Sequence, residues 1–170
     1  MGDRGRYKNF KNLIMAFSSS KFLINNYKIL CYGGGKFNNE EIKIFKNLNI
    51  KKKIKYEEGD DLKLLNFYRN ASLYISLSKY EGFGLTLLEA LNMECPVICS
   101  DIPVFREIYK KSCKYVKATN KNSIRYGIES ILKSKAQQKK LSLQGKLITK
   151  QLTWEKCALA TSKVYKKILN

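Results

Sequence analysis

The sequence predicts an α/β protein, a parallel sheet of short strands with helices on both faces. Three observations carry this. Apolar runs of strand length recur along the chain, among them Lys28-Ile29-Leu30-Cys31-Tyr32, Leu73-Tyr74-Ile75-Ser76-Leu77 and Pro96-Val97-Ile98-Cys99-Ser100. Stretches with helical periodicity separate them, as a parallel crossover requires. Glycine-rich turns, Gly33-Gly34-Gly35 and Gly82-Phe83-Gly84, follow two of the strands. In sheets of this type ligands bind at the carboxyl ends of strands, so both turns mark the functional edge.

In chain order, Met1 to Asn9 is a basic, glycine-bearing loop containing Arg4, Arg6 and Lys8. Phe10, Leu13, Ile14 and Phe17 share one helical face directly after it. No strand precedes the loop, so the domain is expected to lack its first strand. Lys28 to Tyr32 reads as a buried strand, and a helix is expected from Asn39 to Leu48. A short strand follows at Lys53 to Tyr56. Gly59-Asp60-Asp61 leads into a helix with Leu62, Leu65 and Tyr68 apolar, and one of the two aspartates is its N-cap. Two adjacent carboxylates there could also tempt a metal reading, but a cap is the simpler role.

The strand at Leu73 to Leu77 leads through the second glycine turn into an apolar helix. After Pro96 to Ser100, Asp101 and Pro103 open a brief helix through Phe105 and Ile108. Lys114-Tyr115-Val116 is a weaker strand, and helices fill the rest. The last helix, within residues 151–170, carries Trp154, Leu159, Val164 and Ile168 among lysines. Phe83, Tyr74 and Trp154 are expected in the core. No linker divides the chain, so residues 1–170 are expected to form one domain.

The formal net charge of +19 invites an anionic partner, nucleic acid or membrane. The lysines are scattered over many helices, however, without the basic face and interleaved aromatics that nucleic-acid binding uses. Basic terminal helices leave a peripheral contact with anionic membrane open. Cys31, Cys95, Cys99, Cys113 and Cys157 lack metal-ligand spacing, and two of them sit within apolar strands. Together with the lack of a leader-like segment, this leads to the expectation of a cytoplasmic protein. Histidine is absent, which excludes imidazole as base or metal ligand within this chain.

Tyr80-Glu81-Gly82-Phe83-Gly84-Leu85-Thr86-Leu87-Leu88-Glu89-Ala90-Leu91 organises the rest. A helix N-terminus on a glycine turn offers free N–H groups and the positive dipole end to an anion. Glu89 sits among Leu85, Leu87, Leu88, Ala90 and Leu91, in a helix apolar on nearly every side. A carboxylate there needs a polar partner.

This segment resembles the C-terminal domain of GT-B glycosyltransferases, closest to the retaining family 4, also called glycosyl transferases group 1, with its Glu-x7-Glu motif. Ser78, Glu81, Gly82, Phe83, Gly84, Glu89 and Ala90 fall where that family's pattern has them. Arg4 and Lys8-Asn9 resemble its early basic pair, and Gly33 to Gly35 its second glycine turn. The resemblance runs from about Asp3 to Val116 and implies a Rossmann-like fold. It also implies roles. Glu89 would accept from the ribose hydroxyls of a nucleoside diphosphate sugar, and Glu81 would be the catalytic residue at the donor sugar. Gly82, Phe83, Gly84 and Leu85 would hold that sugar through their amides, while Thr86 faces the diphosphate. Arg4 and Lys8 would neutralise the leaving group, the work a metal does elsewhere, so no metal and no cofactor is expected. Tyr56 and Glu57 fall at the family's base-contacting strand end.

Other readings of the same residues stay open. Glu81 could stabilise the helix dipole, Glu89 could pair with a buried Lys or Arg, and the basic start could be solvated. The sequence also departs from the family pattern. Glu94 stands at a usual glycine and Arg106 replaces a proline before Glu107, and the N-terminal acceptor-binding domain is expected to be missing. The resulting expectation is a donor-binding half-enzyme, working on polysaccharide or glycolipid and poorly active without a companion N-terminal half. The rivals are a non-catalytic partner subunit and a basic nucleic-acid-binding domain.

Overall fold

The computed structural model describes residues 4–169. Helices α1 (Phe10–Ser18) and α2 (Lys21–Asn26) precede strand β1 (Ile29–Tyr32). Then follow α3 (Asn39–Asn47), β2 (Ile54–Glu57), α4 (Asp61–Asn70), β3 (Tyr74–Ser76) and α5 (Leu85–Asn92). β4 (Val97–Ser100), α6 (Pro103–Tyr109), β5 (Lys114–Val116), α7 (Lys121–Leu132), α8 (Lys135–Thr149) and α9 (Trp154–Leu169) complete the order.

All strand pairing is parallel, as expected, but it falls into two sheets, β1-β2 and β3-β4-β5. The single expected sheet is divided because β1 and β3 flank an apolar cleft and do not pair with each other. β4 is central in the larger sheet and buried along its whole length. Its side chains alternate between faces, as strand geometry dictates. Ile98 joins one core with Ile14, Phe17, Val116, Ile124 and Ile128, beneath α1 and α7. Val97 and Cys99 join the other with Leu87, Leu91, Phe105, Tyr109 and Ile148, beneath α5, α6 and α8. Helices thus cover both faces. At Gly127 of α7 a Cβ would lie 2.4 Å from Val116 Cγ1, so only glycine lets that helix approach β5 so closely.

Local chemistry sets the helix starts. Asp60, not Asp61, is the N-cap of α4, its carboxylate accepting from Lys63 N at 2.8 Å. Asn38 and Glu41 form a reciprocal capping box on α3. Ser20, Asn120 and Ser134 cap α2, α7 and α8. Glu94, at the position expected to differ, takes the left-handed conformation favoured by glycine (φ 58°) and pairs with Lys146 of α8.

The terminal helix corrects one expectation. Trp154 is 78% exposed rather than in a core, and every described residue of α9 is exposed. Periodicity made α9 amphipathic, but its apolar face meets none of the cores described above. No described helix is long and apolar enough to cross a membrane. The cysteines are free thiols; Cys95, Cys99 and Cys113 are buried, and Cys157 on α9 is exposed.

Candidate functional site

The carboxyl ends of β1 and β3, with the loop around residues 4–8 and the start of α5, form one edge. That loop is pinned to the end of β3 by Lys79 N, which donates to Tyr7 O at 2.8 Å.

The turn into α5 depends on Gly84. Its φ of 86° and ψ of 52° are left-handed, and it is the helix N-cap with no side-chain cap. A Cβ there would lie 2.7 Å from Phe105 Cε1. Its carbonyl accepts from the Tyr109 hydroxyl at 2.8 Å, so α6 fixes the start of α5. The start of α5 therefore has no capping side chain, and the positive end of the helix dipole lies there. Gly82 is exposed and nothing lies within 4 Å of where its Cβ would be. Phe83 is half-buried, edge-on to Tyr109 at 6.2 Å, and Leu85 is exposed.

Lys8 and Glu81 meet at this turn, Nζ to Oε1 at 2.5 Å, with both side chains largely withdrawn from solvent. Glu89 lies about a turn further along α5, half-buried, and accepts from the Tyr68 hydroxyl at 3.1 Å. The inward carboxylate thus has a polar partner, a buried tyrosine of α4. Burial, then the neighbouring Tyr74 and the Glu89 carboxylate, push the Tyr68 phenol upward, so it stays a donor. Thr86 accepts from the Tyr74 hydroxyl at 2.8 Å; Tyr74 is held protonated chiefly by burial.

Arg4 is engaged elsewhere on the edge. Its Nε donates to Glu41 Oε1 at 2.9 Å and Nη2 to Oε2 at 3.2 Å, a two-pronged ion pair. Nη1 also donates to the carbonyls of Gly33 (3.2 Å) and Gly35 (2.8 Å), and Nη2 to that of Lys36 (3.0 Å). Gly33, Gly34 and Gly35 all adopt positive φ, which turns these carbonyls onto the guanidinium. The hydrogen bond to Glu41 holds the Arg4 pKa above its ordinary value. At the end of β2, Glu57 pairs with Lys63 at 3.0 Å and the Tyr56 hydroxyl bonds Glu58.

Among the expected residues, the structure brings Lys8 to Glu81 and lines up Gly82 to Glu89 on one turn and helix. It places Arg4 on the β1 loop with Glu41. Glu41, Tyr68 and Tyr109 were not foreseen in supporting roles. The spacing of Asn38 and Glu41 signals a capping box, but nothing local signals that Glu41 also reaches Arg4.

A glycosyltransferase from Rickettsia africae shares the fold, with a TM-score of 0.87 at 21% identity over 99% of this chain and 46% of that one. The C-terminal domain of a glycosyl transferase group 1 family protein from Francisella tularensis gives 0.77 at 19% identity, over 89% of this chain and 82% of that one. The O-antigen chain mannosyltransferase B of Escherichia coli is 30% identical over 111 residues, 65% of this chain. The match spans only 29% of that relative's length. With the glycosyl transferases group 1 profile matching residues 1–147, and this fold around them, the chain belongs to that family as a GT-B C-terminal domain.

Proposed function

We propose that this chain is the donor-binding part of a retaining, metal-independent glycosyltransferase. It binds a nucleoside diphosphate sugar, whose hexose goes to a hydroxyl acceptor in surface polysaccharide or glycolipid synthesis. The observation that carries the reading is the uncapped start of α5, with Glu81 before it and Glu89 inside it.

In this reading the diphosphate sits at the first amides of α5, beside Thr86 and Lys8. Amides and dipole supply fixed positive charge where negative charge grows on the leaving group. Glu89 accepts from the ribose hydroxyls, replacing or sharing its bond from Tyr68. Glu81, released from Lys8 as Lys8 turns to phosphate, contacts the donor sugar. Gly82 to Leu85 present backbone amides to it. Arg4 reaches the diphosphate only by exchanging Glu41 for phosphate oxygens, one ion pair for another; otherwise it acts by shaping the glycine turn. The name of the Escherichia coli mannosyltransferase supports a polysaccharide acceptor. A companion polypeptide bringing the acceptor side, and a peripheral contact of the basic helices with anionic membrane, belong to the same reading.

The test is a thermal-shift series with UDP, GDP and ADP on the wild type and on Glu89→Ala. One nucleotide should raise the Tm of the wild type by more than that of the variant. Equal shifts in both proteins, or none with any nucleotide, would remove the ribose role of Glu89.

A further inference from the structure

A hollow of about 460 Å³ lies at the outer edge of the larger sheet, where α6, β5 and α8 meet. No residue of the candidate site lines it. Arg106, Lys110, Lys111, Lys114 and Lys140 do, and no Asp or Glu joins them. Cations make up half of its ten lining residues, against 33 of 170 in the whole chain. The general basicity of the protein therefore does not account for the cluster.

The cations differ in how they are held. Arg106 is fixed, with Nε and Nη2 donating to the Asp101 carboxylate at 2.7 and 2.8 Å and the guanidinium 4.1 Å from the Tyr115 ring. Tyr115 is anchored in turn by its hydroxyl, which donates to Phe105 O at 3.0 Å. Asp101 is thus committed to Arg106. Among the described residues, Lys110, Lys111, Lys114 and Lys140 make no ion pair. Four uncompensated like charges around one hollow raise the local potential and favour an anion there. Gln137 and Gln144 add neutral amide donors on the α8 side.

Two of these lysines have local explanations. Lys114 stands on an edge strand, where a lysine discourages pairing with another chain. Lys110 follows the last turn of α6, where a cation favours the helix dipole. Its backbone asks for more than that. Lys110 has φ 47° and ψ −111°, and Ser112 N donates to Tyr109 O at 2.8 Å across it. This is the first central position of a II′ turn, which favours glycine. A lysine there carries strain, and strained positions concentrate at functional sites. Lys111 and Lys140 have neither explanation.

We propose that this hollow binds a phosphate group, carried by a soluble phosphorylated molecule or by the headgroup of an anionic phospholipid. Phosphate oxygens accept from several donors at once, which suits ammonium groups contributed by three separate elements. The volume lies in the range of small-molecule pockets and fits one discrete group. Binding here is independent of any nucleotide at α5.

The test follows hydrogen exchange of the whole 170-residue chain with sodium pyrophosphate, and separately with phosphatidylglycerol vesicles. One of the two probes should slow exchange saturably across residues 109–116. The double variant Lys111→Gln/Lys140→Gln should bind that probe at least about tenfold more weakly. Lys51→Gln/Lys52→Gln removes the same charge beside the start of β2 and should bind like the wild type. All four lysines are exposed, so both variants should melt close to the wild type. Protection by pyrophosphate would support the proposal with a soluble ligand, and protection by vesicles alone would support it with a lipid headgroup. No protection of residues 109–116 by either probe would overturn it. So would equal weakening in the two double variants, because diffuse charge would then suffice.

Discussion

Lys8 Nζ and Glu81 Oε1 lie 2.5 Å apart, joining the first loop of the chain to the turn before α5 across 73 positions of sequence. A double-mutant cycle with Lys8→Ala and Glu81→Ala should give a coupling of about 1 kcal/mol, the scale of a partly exposed pair. Chemical denaturation of the four proteins measures it. A coupling near zero would mean the two side chains do not depend on each other in solution.

Gly84 and Gly82 are two residues apart and should respond oppositely to an added methyl group. Gly84→Ala adds left-handed strain and a contact with Phe105 Cε1 at 2.7 Å. The expected loss is about 2–3 kcal/mol. Gly82→Ala meets open space and should cost under about 0.5 kcal/mol. Urea melts of both variants decide the matter; equal losses would contradict the turn geometry.

Glu129 of α7 accepts from Ser20 Oγ at 2.7 Å and pairs with Lys133 at 2.8 Å. The hydrogen bond from Lys133, then that from Ser20, hold its carboxyl below the ordinary 4.5. A lowered folded-state pKa contributes stability that is complete above 4.5 and lost as pH falls through the folded value. Glu129→Gln should therefore be less stable than wild type at neutral pH, and the gap should close in acid. Melting temperatures measured from neutral pH to well below 4.5 test this; a gap independent of pH would refute it.

Thiol chemistry reports on α9. Cys157 is exposed, while Cys95, Cys99 and Cys113 are buried. Burial pushes the Cys31 thiol up to about 11 and that of Cys95 up to about 12, which leaves little thiolate at neutral pH. A thiol reagent added to the native protein should modify Cys157 first, as read by peptide mass. Protection of Cys157 would show α9 covered in solution.

Much of this was legible in residue order alone. Alternating short apolar runs and helical periods specify a parallel α/β arrangement, because crossover helices must cover both faces of such strands. The glycine turn and apolar helix from Gly82 to Leu91 are local features, governed by backbone freedom at Gly84 and by periodicity. Tertiary structure alone decided the partners. Arg4 meets Glu41 over 37 positions of sequence, Glu89 meets Tyr68 over 21, and neither distance leaves a periodic trace. The exposure of Trp154 and the cleft between β1 and β3 were likewise decided there. A pattern of apolar residues says which face of an element avoids water, but what covers that face depends on which other elements lie within reach.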